Sequence, residues 1–574
     1  MKKTKNKTYI RKTGIYLYLA ENKRLLFFAF LWGVPFAASC VLGQRLVNEG
    51  TVFGPGGSAA AYAGSFLLFL LETAVLSVPA SALAAAVLRS GRAKRGGESK
   101  RDGKAPGSEP EGRQTWLFCG TVIFLCWLPV FLAYYPSVFA YDAEGQLYQV
   151  IAHDYSTHHP LLHTLFLGAF FRLGGALGSY SAGMAVHSVV QMLLMAAAFG
   201  WALSYLYQRR IPKWLRILLL LFYGLFPAHS VLALSTTKDV LFSALVMIFT
   251  LWLYRLICDR GMQISRKERG IFAALAVLML LFRNNAVYAF LVSVPVVWIG
   301  LGKTARKTWL RMTLLALALF AVSSAALKTA THAHSGSPRE MLSVPLQQMA
   351  RTRVEAEERL DPQTRMELEN YLPSEWVFAA YNPHLADPVK NRAVIHDNPG
   401  GLITTWMKLG LQHPAIYTDA FLDNSRGLWF LWDDSHARIY GIGTESGFGY
   451  LSTDNRTMPA GCEIVEHSLL PGLRAFMEKI VSDNRYEKWP AVRLLFAPAL
   501  YFWLLYFYLA AALYRKKYRA LLPAVFLAAY YLTLLLSPAV LVRYMYPIMV
   551  TIPVILPCLM TDTRDDEVKI HNKI

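Results

Sequence analysis

The chain has 574 residues, 55% of them hydrophobic and 17% charged, with a formal net charge of +20. Repeated apolar runs of about twenty residues, each long enough to cross a bilayer as a helix, exclude a soluble globular protein. Lys and Arg fall in short clusters between those runs and not on one folded surface, which excludes nucleic acid as a partner and makes the basicity topological.

Residues 1–24 are basic and lead into an apolar run with no small-residue cleavage site, so they predict a retained cytoplasmic tail and not a removed signal. Apolar runs near 25–43, 59–88, 115–133, 181–206, 215–234, 240–257, 270–283, 286–302, 309–327, 490–513, 520–538 and 544–560 predict about 12 transmembrane helices. The basic clusters at 2–24, 89–113, 209–216, 255–269, 303–311 and 515–519 occupy alternate loops, which orients them inward, with both termini cytoplasmic in a multi-pass plasma-membrane protein. Residues 25–88 then form two N-terminal helices, 89–114 a flexible cytoplasmic linker, 115–327 a membrane core with an outer loop at 134–180, 490–560 three C-terminal helices and 561–574 a second cytoplasmic tail.

Within the outer loop, Asp142, Gln146, Gln149 and His153 recur on one helical face and Phe139, Ala143, Leu147 and Val150 on another. This spacing predicts an amphipathic helix on the outer membrane surface, broken at His158-His159-Pro160. The following stretch, PLLHTLFLGAFFRLGGAL, is apolar but carries His163, Arg172 and a Gly pair; it predicts a second surface or re-entrant helix. His159 and His163 have the spacing of a zinc clamp, but no third ligand is fixed by sequence and no metal site is assigned.

Residues 328–489 hold no spanning run and predict an extracytoplasmic α+β domain. REMLSVPLQQMARTRVEAEERL and QTRMELENYL have helical spacing, whereas RIYGIGTESGFGYLSTDN predicts loops with short strands. The sequon Asn455-Arg456-Thr457 carries no weight without a secretory pathway to use it. Glu72, mid-span in LLFLLETAVL, reads as an interhelical hydrogen-bonding group in its protonated form, since no cation is found at its depth in the other spans.

Ionisable residues gather at the outer ends of several spans: Asp142 and Glu144 in the loop, Lys238 and Asp239 in STTKDVLF, Arg283 in LFRNNAVY, and Arg543 with Tyr544 in LVRYMYP. An acidic group facing fixed cations at headgroup level suits chemistry on a lipid-linked phosphosugar, the carboxylate taking a proton while Arg or Lys stabilises the departing phosphate. Sharing one phosphosugar requires Asp142 and Arg543 to lie within about two helix diameters, ~20–25 Å.

YPSVFAYDAEGQ, HHPLLHT, the Lys-Asp pair and the late RYMYP together resemble the GT-C superfamily of lipid-phosphosugar-dependent membrane glycosyltransferases, of the protein-mannosyltransferase and aminoarabinose-transferase kind. The resemblance implies Asp142 as general base, Arg543 at the lipid-donor phosphate and Asp239 as a family acidic residue at an outer helix entry; the clustering of charge itself adds Glu144 as alternate base and Arg283, Lys238 and Tyr544 at the phosphate, with Asp239 orienting Lys238 or a metal. The resemblance also implies His158, His159 and Gln146 in the substrate loop, His158-His159-Pro160 standing where the family has a Lys/His-Pro-Pro turn. The expected partners are membrane lipids, a polyprenyl-phosphate sugar donor and a glycan or protein acceptor; a divalent cation recruited with the donor phosphate is the one cofactor left open. Here the acidic loop follows the third predicted span and not the first, so two N-terminal helices are added. The stretch WMKLGLQHPAIYTDAFLDNSRGLWF also resembles an uncharacterised bacterial membrane group, the domain-of-unknown-function family 6020. A transporter or flippase, or a non-catalytic envelope protein, is the alternative; a transporter would concentrate polar groups at the midplane with repeat symmetry, which this chain lacks.

Overall fold

The computed structural model describes residues 23–52, 59–93, 109–139, 141–395, 399–433, 459–481, 485–486 and 488–561. The N-terminal tail, most of the linker, the Gly/Ser/Thr-rich stretch with its sequon and most of the C-terminal tail lie outside the described residues.

The chain opens with α1 (Lys23–Glu49) and α2 (Ala59–Ala93), which pair along their length, followed by α3 (Glu109–Ala133). Two shorter helices come next, α4 (Tyr141–Ala152) and α5 (Leu161–Ala176), and then the long α6 (Tyr180–Gln208). The core continues through α7 (Lys213–Leu225), α8 (Pro227–Leu234), α9 (Asp239–Tyr254), α10 (Arg266–Phe282), α11 (Ala286–Gly300) and α12 (Lys303–Thr331).

A helical cluster in the segment expected to lie outside, called the outer cluster below, holds α13 (Ser343–Ala356), α14 (Pro362–Tyr371), α15 (Ser374–Ala380), α16 (Asp387–Arg392), α17 (Pro399–Gln412) and α18 (Pro414–Asn424), while α19 (Arg426–Trp429) and α20 (Pro471–Val481) pack against the long apolar helices. The chain returns through α21 (Pro490–Phe496), α22 (Pro498–Tyr514), α23 (Tyr518–Leu521), α24 (Val525–Leu534) and α25 (Val542–Cys558).

Among the described residues six helices are long and apolar enough to cross a membrane, or eight if each of two bent pairs is one span, which is the signature of a membrane protein. The expectation of about 12 is therefore not reached on length and composition. The runs at 286–302, 520–538 and 544–560 fold into apolar helices of 10–17 residues, as does Leu161–Ala176. Two expected continuous spans are broken: α7 and α8 meet at 47°, and α21 and α22 at 73°. In each pair the second helix starts on a proline, Pro227 or Pro498, whose missing N–H and fixed φ suit a first helical turn and interrupt a continuous one.

The stretch expected to form the short strands of an α+β domain lies outside the described residues, and among the described residues the outer cluster is helical and holds no strand, only isolated bridges. Its core is Leu346, Met349, Leu368, Val377, Val389 and Leu402 with their neighbours, separate from the large apolar cluster of the spans. Small residues let the core helices approach: a Cβ on Gly200 would come 2.7 Å from the backbone of Gly120 and Trp116, so α3 and α6 touch main chain to main chain. The reading of Glu72 is also corrected. Arg45, buried near the C-terminal end of α1, donates to its carboxylate at 2.8 Å and to Val52 O and Ser65 O at 3.2 and 3.1 Å.

Candidate functional site

The surface loop folds around its apolar face. Phe139, Ala143 and Leu147 pack with Leu167, Phe171 and Met184, while Val150 joins Tyr155 and Leu161, so α4 lies on α5 and points its N-terminus at the core. That N-terminus is held against the start of α9 by a parallel bridge between Val138 and Ser235, with Val138 N donating to Leu234 O at 3.2 Å and Thr236 N to Val138 O at 3.1 Å. Gln191 of α6 fixes the same turn by donating to Ala233 O and Ser235 O at 3.0 and 2.7 Å. Asp142 at the start of α4 and Lys238 before α9 are thereby brought together.

Two further helix starts complete the group. The α10 helix ends where Arg283 turns extended, and α25 begins after the extended Leu541, which places Arg543 in its first turn. Since α25 packs along α9, Arg543 arrives beside Asp239.

Nη1 of Arg543 donates to Oδ2 of Asp142 at 2.5 Å, and Lys238 Nζ lies 3.5 Å from the same oxygen and 3.1 Å from His159 Nδ1. Asp239, with no exposed side-chain surface, pairs with Arg283 and lies 3.7 Å from Arg543 Nε. The expected role for Asp239 is thus corrected: it orients two arginines and not Lys238, whose partners are Asp142 and His159. Both guanidinium groups sit over the Tyr544 ring, Arg283 at 4.9 Å and Arg543 at 5.1 Å, which spreads their charge over an aromatic face.

These groups border a cavity of about 420 Å³ lined on the core side by Asp142, His158, His159, Lys238, Arg283 and Arg543, with Tyr544, Asn284 and Asn285 at its edge. Its other wall comes from the outer cluster, through Glu340, Asp387, Lys390 and Asn391. Sequence reasoning missed all four, because nothing in SPREML or DPVKNR shows that those short helices turn toward the membrane core.

Two candidates stand apart. Glu144 is half-buried on α4 but does not line the cavity. Gln146 is fully buried beneath it, donating to Thr164 Oγ1 at 2.9 Å and meeting His163 Nδ1 at 3.1 Å, so it ties α4 to α5 and is not a cavity residue. His163 thus takes Gln146 as its partner, whereas His159 meets Lys238. Among the described residues no group of three or more metal-ligating side chains is present.

Burial would raise the Asp142 carboxyl, but the charges of Arg543 and Lys238 outweigh it and hold it well below the usual carboxylate range. Burial, reinforced by Lys238, pushes His159 down to about 3, so its imidazole stays neutral. Burial pushes Lys238 down to about 8, with Asp142 opposing.

On its core side the cavity presents three cations and one lining carboxylate around a polar opening, a geometry that can bind an oxyanion and accept a proton beside it. No curated protein and no solved structure matches the chain. A family model described as "Family of unknown function (DUF6020)" matches residues 152–573, which takes in both cavity walls except Asp142. On that match, covering well over half of its length, the chain belongs to the DUF6020 family of unknown function.

Proposed function

We propose that this protein is an integral-membrane glycosyltransferase of GT-C type, moving a sugar from a polyprenyl-phosphate donor to an extracytoplasmic glycan or protein acceptor of the cell envelope. The observation that carries the reading is the convergence of Asp142, Lys238, Arg283 and Arg543 on one cavity from four separate helix ends. In this reading the broken and short apolar helices complete about twelve crossings, both termini are cytoplasmic and residues 328–489 lie outside.

The resting contacts suggest the order of events. Asp142 is paired with Arg543 and Lys238, and a carboxylate held that way is a weak base. A donor phosphate competes for the same two cations, and their transfer to it frees the carboxylate. The acceptor hydroxyl oxygen then attacks the anomeric carbon from the face opposite the phosphate, forming the new glycosidic bond with inversion. Its proton passes to Asp142 and the C–O bond to phosphate breaks with its electron pair staying on phosphate. Arg543, Arg283 and Lys238 stabilise that charge. Polyprenyl phosphate leaves, and Asp142 returns its proton to solvent.

The test is turnover of purified protein in nanodiscs against a panel of polyprenyl-phosphate sugars, comparing wild type with Asp142→Asn for release of polyprenyl phosphate. Donor consumption in wild type that the variant lacks is the expected result. A folded wild type that consumes no donor overturns the proposal in favour of transport or binding.

A further inference from the structure

We infer that the outer wall of the cavity, formed by Glu340, Asp387, Lys390 and Asn391, reads the donor's sugar ring, and that the ring it selects is a non-acidic monosaccharide with free hydroxyls. The inference rests on the transferase reading above and extends it to substrate class.

The two walls differ in charge. The core wall sets Lys238, Arg283 and Arg543 against Asp142 and Asp239, an excess of one cation, whereas the outer wall sets Glu340 and Asp387 against Lys390, an excess of one anion. A phosphate is drawn to the first wall, and hydroxyl donors to the second. Lys390, buried and central, holds Glu340 Oε2 and Asp387 Oδ1 at 2.7 Å each. Among the described residues nothing donates to the second oxygen of either carboxylate, which leaves two charged acceptors fixed in place for ring hydroxyls.

The wall is anchored and not floating. Ala386 N donates to Pro538 O at 2.8 Å, and Leu385 bridges to Ala539, just before the turn that carries Arg543. On the opposite side Gly336 N donates to Thr157 Oγ1 at 3.0 Å, and Asn284 Nδ2 to the carbonyls of Thr157 and His158 at 3.1 and 3.3 Å. Outer cluster and core thus close on the same opening, and about 420 Å³ is near the lower end of small-ligand sites, the scale of one phosphosugar head group. The anionic wall repels an acidic sugar.

The test uses the full chain in detergent micelles and native mass spectrometry, which identifies the bound lipid by its mass. Polyprenyl phosphate, polyprenyl-phosphate hexose and polyprenyl-phosphate hexuronate are titrated separately into wild type and E340Q/D387N. Wild type should bind the hexose lipid about tenfold or more tighter than bare polyprenyl phosphate, the effect of adding charge-assisted hydrogen bonds. The hexuronate lipid should gain nothing over the bare lipid. The double variant should keep its affinity for bare lipid and lose the hexose gain; Glu340→Gln alone, at a half-exposed position, gives the same reading in part if the double variant does not fold. A hexose gain that survives the variant, or a hexuronate lipid bound as tightly as the hexose lipid, overturns the inference. Bare lipid bound with no gain from any sugar overturns it while sparing the transferase reading, and binding of none of the three overturns both.

Discussion

Arg543 grips Asp142 through a 2.5 Å hydrogen bond that spans 401 residues of sequence. In the proposed reaction each group is needed in a different way, one for the proton and one for the departing phosphate. Asp142→Asn is expected to lower kcat by about 10²–10⁴-fold, the range for a lost general base, and Arg543→Ala by about 10²–10³-fold, as for one lost oxyanion donor. Glu144→Gln should stay near wild type, because Glu144 does not line the cavity. Steady-state release of polyprenyl phosphate checks all three, and a loss from Glu144→Gln equal to that from Asp142→Asn would reassign the base.

Donor binding should weaken on the alkaline side. Lys238 is held down to about 8, so above that pH it sheds the proton that attracts phosphate. KM for the donor is expected to rise above about pH 8, and Lys238→Arg, which keeps its charge, should shift that rise to higher pH. A KM profile that is flat to pH 10 in wild type would remove Lys238 from phosphate binding.

Stability should report His159 on the acid side. Its folded pKa, down to about 3, lies below the ordinary 6.5, so as pH falls below 6.5 the unfolded chain takes up a proton that the folded one refuses. The melting temperature therefore falls in that window, and His159→Gln should flatten the slope. Asp142 acts later and in the opposite sense of charge: its depressed pKa stabilises the fold above the ordinary 3.8, and that contribution is lost only as pH falls through a still lower value.

Asp239→Asn should affect both stability and catalysis without touching substrate. It removes the buried carboxylate that faces Arg283 and Arg543, leaving two guanidinium groups short of their counter-charge. Removing one partner of a buried pair costs about 3–5 kcal/mol, so a clear drop in melting temperature is expected. A positioning role adds a fall in kcat larger than the change in KM; an unchanged kcat in the folded variant would limit Asp239 to structure.

The Arg45–Glu72 pair yields a test of the N-terminal hairpin. Arg45→Leu strips partners from Glu72 and from the Val52 and Ser65 carbonyls and should destabilise by about 1–3 kcal/mol, whereas adding Glu72→Leu should restore part of the loss. Thermal unfolding of the four cycle members in nanodiscs measures the coupling.

The amino-acid sequence by itself determined where the apolar runs lie and that ionisable residues cluster at their ends, because hydropathy over twenty residues and a local breaker such as Pro160 are properties of neighbouring residues, whereas the breaks at Pro227 and Pro498 inside two such runs appeared only in the structure. It also marked Asp142, Lys238, Asp239, Arg283 and Arg543 as charges needing a purpose. Only the tertiary structure decided who meets whom. Asp239 turned to two arginines because α9 and α25 pack side by side, Gln146 fell beneath the cavity because α4 lies on α5, and Glu72 found Arg45 across the hairpin. The outer wall around Lys390 was invisible for the same reason: its facing the core depends on contacts such as Ala386 with Pro538, more than a hundred residues apart, and such contacts are set by packing of whole helices, which no local pattern encodes.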